Sequence, residues 1–147
     1  MGTHINLQIM SIKKMLDWIQ LPGNNSIPAL IASSHGCDQS SLPHNCHIEL
    51  FEDVDYECAG KSFSWEQACN YADFIRNLPN GTKMIICACN AGESRSAALC
   101  AGLCEYYEYD SSWIWDSPLY HPTCLCLICL HGLWAWKLRI FKRMTCS

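Results

Sequence analysis

The sequence has few charged residues and no strong excess of either sign. Only 16% of its 147 residues are charged, and the formal net charge is -4. Lysine and arginine are scattered except near the C-terminus, so a broad basic face for nucleic acid is not expected. A hydrophobic content of 50% is typical of a globular chain rather than a disordered one. The length suits one core, and we predict a single domain over residues 1–147.

Met1–His4 shows no charged region followed by an apolar run, so we expect no secretory signal, and the apolar run in the last part of the chain is too short and too interrupted to span a membrane. The longest late run, Cys124–Leu130, has seven residues. Aromatic and basic residues follow it, the latter being Lys137, Arg139, Lys142 and Arg143. We expect residues 123–147 to form a C-terminal helical extension of a core at about 5–122. Contact of this segment with a membrane surface, or self-association through it, is the less favoured alternative.

Cysteine, in contrast, is abundant, with 12 residues. Without a secretory signal, we expect a cytoplasmic protein in which most cysteines are small apolar fillers. Cys69, Cys100 and Cys104 fall within helical patterns and fit this interpretation. The cluster from His35 to His47 and the Cys126-x-x-Cys129 pair match no convincing metal pattern. No metal or cofactor is therefore expected.

Short apolar runs alternate with helical patterns along the chain, which predicts an α/β fold. The predicted strands are Ile5–Met10, Pro28–Ser33, Cys46–Phe51 and Met84–Cys87. The predicted helices are Ile12–Ile19, with Ser11 as its N-cap, and Phe63–Leu78, with Ser64 as its cap. A further small, apolar helix follows Ser96.

One stretch carries chemistry, because Cys89 lies where an apolar strand is followed by a small polar segment and a helix. Backbone N–H groups at a helix start lack intrahelical partners, and the helix dipole adds positive charge there. Such a position binds anions and stabilises a thiolate. Arg95 lies five intervening residues later, so its fork could grip two oxygens of a phosphate beside the Cys89 sulfur.

The segment Cys89–Ser96 resembles the phosphate-binding signature Cys-x-x-Gly-x-Ser-Arg-Ser of cysteine-dependent protein tyrosine and dual-specificity phosphatases. It is most similar to their small, single-domain bacterial or phage-type members, and the likeness extends from about Ile5 to Pro122. The preceding apolar strand and the following helix make the motif far more specific than a bare Cys-x5-Arg. The resemblance implies a three-layer α/β fold with a mostly parallel sheet of about four to five strands, flanked by helices.

The resemblance also implies phosphate monoester hydrolysis through a cysteinyl-phosphate. Cys89 would be the nucleophile, and Ser96 would hydrogen-bond its sulfur and aid its departure. The phosphate would be bound by Arg95 and by loop residues Asn90, Ala91, Gly92, Glu93 and Ser94. The substrate would be a phosphorylated molecule, for which a phosphoprotein is favoured, and its side-chain class stays open.

The chemistry also needs a proton donor for the leaving group, which a carboxylic acid beside the anion site can supply. An acidic loop, 52–57, lies some thirty-odd residues before Cys89. The Asp-Val pair of Asp53 and Val54 matches the family pattern better, but spacing alone also allows Asp55. Both aspartates therefore remain candidates.

The chain departs from the family at Ala88, where a histidine usually precedes the nucleophile. That histidine orders the loop and helps set the thiolate pKa. Its replacement keeps open a weakly active or inactive phosphate-binding relative, a pseudophosphatase. A rhodanese-like sulfurtransferase is another alternative, although its loop usually lacks the Gly-x-Ser-Arg-Ser arrangement. A third is an interaction protein acting through the aromatic C-terminal part.

Overall fold

A computed structural model describes residues 4–35, 42, 45–54 and 62–122 of the chain. Within these ranges the strands are β1 (Asn6–Ser11), β2 (Ala29–Ser33), β3 (Cys46–Leu50) and β4 (Met84–Cys89). The helices are α1 (Ile12–Ile19), α2 (Trp65–Arg76), α3 (Arg95–Tyr107) and the short α4 (Ser112–Trp115).

The four strands form one parallel sheet in the order β1-β4-β2-β3. Ser11 of β1 and Ala32 of β2 are the register partners of Cys89 on either side of β4. Because every strand runs the same way, all their carboxyl ends lie at one edge, where open α/β sheets bind ligands. The predicted α/β class is confirmed, and the sheet is wholly parallel across the described residues.

Helices cover both faces of the sheet, which gives three layers. Met15 and Ile19 of α1 pack on one face against a cluster that includes Ile31 and Ala88. The other face carries α2 and α3, and its larger cluster includes Cys89. Side chains alternate between the faces along a strand, so Ala88 and Cys89 project into opposite layers. A histidine at position 88, which the resemblance leads one to expect, would therefore lie in the layer beneath α1.

The described elements begin within two residues of their predicted starts, and their ends also differ slightly. The Ser11 hydroxyl accepts from the Lys14 amide at 3.1 Å, and Ser64 forms a full capping box with Gln67. Helix α2 is shorter than the helix predicted over 63–78, since Ser64 is its N-cap and Asn77 its C-cap. Strand β4 runs two residues further than predicted and includes Cys89. Residues Arg95–Cys104 of α3 are all buried, as expected for a helix of small, apolar residues.

Two sequence-based predictions concern other parts of the chain. The C-terminal extension over 123–147 and the Cys126-x-x-Cys129 pair lie outside the described residues. Within the described ranges, none of the helices combines the length and apolar character needed to cross a membrane. Of the histidine–cysteine cluster, His47 lies in β3 and its ring nitrogen is 2.6 Å from a Glu49 oxygen.

Candidate active site

Five residues connect the end of β4 to the start of α3 at the carboxyl edge of the sheet. Gly92, at the middle of this loop, has a φ of 75°, which side chains other than glycine rarely adopt. A Cβ there would lie 2.5 Å from the Ser11 nitrogen and 2.7 Å from the Met10 carbonyl carbon. The loop thus passes directly over the end of β1, and only glycine fits at this point.

The Cys89 side chain lies under this loop and is 2% exposed. Its sulfur is 3.1 Å from the Ser96 hydroxyl oxygen, and the Gly92 amide donates to it at 3.3 Å. Burial raises the pKa of the thiol, and the Ser96 hydroxyl lowers it. Backbone N–H groups lower it further, namely those of Ser96, Gly92 and Glu93. Together these hydrogen bonds outweigh burial, so the pKa of Cys89 lies below its ordinary value.

Other buried cysteines of the same layer differ in this respect. For Cys104, a hydrogen bond with Cys100 and burial both raise the pKa of the thiol. For Cys100, a hydrogen bond with Cys104 lowers the pKa of the thiol, but a hydrogen bond with Cys87 and burial raise it by more. The pKa of Cys100 therefore lies above its ordinary value. These thiols stay protonated and act as small apolar groups. The loop amides and the Ser96 hydroxyl distinguish Cys89 from them.

The Arg95 side chain is 5% exposed and is held by neighbouring strand ends. Its Nη1 donates to the Phe51 carbonyl at 2.7 Å and to the Ser34 hydroxyl at 2.9 Å. Its Nη2 donates to the Asn90 side-chain oxygen at 2.8 Å. The Nε is buried and has no hydrogen-bond acceptor within the described residues. A buried N–H of a cation that lacks a partner is costly, and an anion beside it would remove that cost.

Asp53 lies at the rim of the loop and is exposed. Its Oδ1 accepts a hydrogen bond of 2.8 Å from the Ser94 hydroxyl. The structure therefore brings Asp53 next to the loop that carries Cys89 and Arg95. Asp55, the other candidate acid, lies outside the described residues.

A contact from far along the chain fixes the loop on another side. The His121 amide donates to the Glu93 carbonyl at 2.8 Å. In a trans peptide the carbonyl and the next N–H point in opposite directions, so this bond turns the Ser94 N–H away from His121. No sequence pattern indicates this contact, because it is made by backbone groups 28 residues apart.

Sequence reasoning also missed what anchors Arg95. Ser34 and the Phe51 carbonyl follow β2 and β3, and no motif marks them. Asn90 lay inside the motif as an expected phosphate-binding residue, but the contact of its side chain with Arg95 was not predicted. The parallel arrangement of the strands was the available clue, since it brings the ends of β2, β3 and β4 to one edge.

No protein-family model matches the sequence, and neither does any curated protein. Solved structures, in contrast, share its architecture. One is PTPMT1 in complex with PI(5)P, with a TM-score of 0.55 and 11% identity over 88% of this chain and 90% of that one. Another is a leucine rich repeat and phosphatase domain containing protein from Entamoeba histolytica, with a TM-score of 0.50 and 17% identity over 92% and 89% of the two chains.

These likenesses, at low identity, establish the fold. The chain has a phosphatase-like α/β fold, with a central parallel sheet flanked by helices, which it shares with these structures. The fold that the sequence resemblance implied is therefore confirmed.

Proposed function

We propose that the chain hydrolyses phosphate monoesters through a cysteinyl-phosphate intermediate. The observation that carries the proposal is the pairing of a thiol of lowered pKa with a buried arginine whose Nε has no protein acceptor among the described residues. Both groups belong to one loop whose Gly92 conformation wraps it over the strand ends. A dianion beside this loop would accept hydrogen bonds from its N–H groups and would lie opposite the Cys89 sulfur.

In the first step the Cys89 thiolate attacks phosphorus, and the bond to the leaving oxygen breaks. Charge on the equatorial oxygens is stabilised by the Arg95 guanidinium and the loop N–H groups of residues 90–95. Asp53 protonates the leaving oxygen, and Asp55 stays the alternative donor. In the second step water attacks the cysteinyl-phosphate, the same carboxylate takes its proton, and Ser96 stabilises the departing thiolate.

We favour a protein substrate that carries a single phosphate group. Among residues 89–95, Arg95 alone is cationic, and the exposed Glu93 is anionic. A phosphoinositide headgroup carries the negative charge of a phosphodiester besides that of its phosphate monoester, and residues 89–95 offer no second cation for it, whereas the Arg95 fork suffices for one phosphate on a peptide. PTPMT1 has been solved with PI(5)P. A side-by-side assay of a phosphopeptide and that lipid should favour the phosphopeptide for this chain.

The deciding experiment is the hydrolysis of an aryl phosphate by the purified protein and its Cys89→Ser variant. The wild type should turn over and be trapped as a phosphoenzyme by rapid quench, whereas Cys89→Ser should show no turnover. Cys69→Ser is the matched control, because Cys69 is a free, half-buried cysteine on α2, and it should keep full activity.

The same preparation separates the alternatives. Binding of phosphate or vanadate without turnover would identify a pseudophosphatase, an outcome that Ala88 keeps open. Formation of a persulfide on Cys89 from thiosulfate, without phosphatase activity, would identify a sulfurtransferase. Equal turnover by the wild type and Cys89→Ser would rule out the proposed nucleophile.

A further inference from the structure

Asn90 directly follows the candidate nucleophile, and its side chain bridges two other segments. Its Oδ1 accepts from the Ser34 amide at 3.1 Å and from Arg95 Nη2 at 2.8 Å. Its Nδ2 lies 3.5 Å from the Ser33 hydroxyl. Both contacts to Oδ1 come from N–H groups, which can only donate, so the network fixes which way the amide faces.

These contacts act on one side of the Arg95 guanidinium. Ser34 contributes its hydroxyl to Nη1 at 2.9 Å and its amide to Asn90. The two acceptors therefore lie side by side along the edge that joins Nη1 and Nη2. The planar guanidinium has a second edge, formed by Nε and Nη2, whose parallel N–H groups suit two oxygens of one phosphate. Nε is the atom that has no acceptor within the described residues.

The geometry points to Asn90 as a positioning residue that, together with Ser34, holds the Nη1–Nη2 edge of Arg95 so that the Nε–Nη2 edge faces the bound phosphate. Asn90 itself touches no reacting atom in this role. The inference rests on the proposed function, because it assigns the phosphate to the loop. Position 90 is one at which the phosphatase signature allows any residue, and Asn90 has a positioning role there.

The test is to measure the dissociation constant of inorganic phosphate, the KM and kcat for an aryl phosphate, and the pH profile of Cys89 alkylation in Asn90→Ala. We expect phosphate affinity and kcat/KM to fall about tenfold, the weight of one hydrogen bond to a charged group. The alkylation profile should stay that of the wild type, because the Cys89 sulfur contacts the Ser96 hydroxyl and the Gly92 amide, and the substitution removes neither. A general collapse of the loop would instead move both properties, and that result would overturn the inference.

Asn90→Asp provides a second measurement that does not depend on Asn90→Ala folding well. Its carboxylate can still accept from Ser34 and Arg95, but its charge competes with phosphate for the guanidinium. We therefore expect Asn90→Asp to bind phosphate more weakly than the wild type, and wild-type phosphate affinity in this variant would show that residue 90 does not act on the guanidinium and would overturn the inference. Asn70→Ala, an exposed asparagine on α2 that contacts Glu49 at 3.3 Å, is the matched control and should behave as the wild type.

The outcomes separate this inference from the proposed function. If the wild type binds and hydrolyses phosphate esters while Asn90→Ala equals it, only the role of Asn90 is wrong. If the wild type binds phosphate without turnover, the affinity measurements still decide that role. If the wild type does not bind phosphate, both proposals fail together.

Discussion

The interior and the rim of the phosphate loop are held in different ways. Cys89 and Arg95 are 2% and 5% exposed, and they lie at the end of β4 and the start of α3. Asp53 is exposed, and the hydrogen bond that ties it to the loop comes from the Ser94 hydroxyl. Regular secondary structure therefore fixes the two groups that would bind phosphate, whereas the candidate acid is on a segment between elements. Substitutions in the interior should have the larger and less adjustable effects.

The largest effect that probes the interior is expected for Arg95→Lys. Lysine cannot present two parallel N–H groups, and it also loses the Nη1 contacts to Ser34 and Phe51. We expect kcat/KM for an aryl phosphate to fall by about 10³-fold, the upper range for loss of a preorganised donor. Phosphate affinity should fall in parallel. Arg76→Lys, at an exposed position on α2, is the control. A loss of kcat/KM below threefold in Arg95→Lys would contradict the binding of phosphate through two N–H groups of Arg95.

The interior could be predicted from the sequence because its determinants are local. An apolar strand, the glycine of the loop and a helix of small residues stand consecutively between 84 and 104, so the positions of Cys89 and Arg95 follow from short-range rules. Gly92 was expected from the motif, and its close approach to Ser11 gives the physical reason.

The rim and the anchors could not be predicted, because they depend on where separate loops meet. Ser34, Phe51 and His121 contact the loop or Arg95 across 28 to 61 residues of sequence. Phe51 makes its contact through its backbone carbonyl and His121 through its backbone amide, and because such groups occur along the whole chain, residue type carries no signal for these contacts.

The candidate acid at the rim is tested by Asp53→Asn, with Asp55→Asn in parallel. An amide cannot give a proton to the leaving oxygen, so we expect about a 10²-fold loss with a substrate that has a poor leaving group. The loss should shrink for an activated aryl phosphate, and the decline of rate towards high pH should disappear. If Asp55→Asn shows this behaviour and Asp53→Asn does not, the roles are exchanged. Asp17→Asn, exposed on α1, serves as the control.

Ser96→Ala is expected to have a smaller effect, confined to the sulfur. The Ser96 hydroxyl lowers the pKa of Cys89, so its removal should raise that pKa and move the pH profile of Cys89 alkylation upward. A pKa lowered by folding stabilises the protein at high pH, and this contribution is lost as pH falls through the folded pKa. The variant should therefore lose stability relative to the wild type in alkaline solution and little in acid.

We expect kcat to fall about tenfold in Ser96→Ala, since one hydrogen bond to a charged sulfur is lost. Ser96→Thr keeps the hydroxyl and should retain the wild-type alkylation profile, provided that its methyl group fits the fully buried site. An unchanged alkylation profile in the alanine variant would show that the loop amides alone lower the pKa of Cys89.

The smallest effect is expected for Ser94→Ala, which removes the contact between the loop and Asp53 but leaves the carboxylate itself. An exposed hydrogen bond contributes about 1 kcal/mol, so kcat/KM should fall only a few-fold. In combination with Asp53→Asn the loss should not add, because both changes act on the same proton transfer. Full additivity would mean that Ser94 serves the loop rather than the acid, and Asp53 would then be held by neighbours other than the phosphate loop.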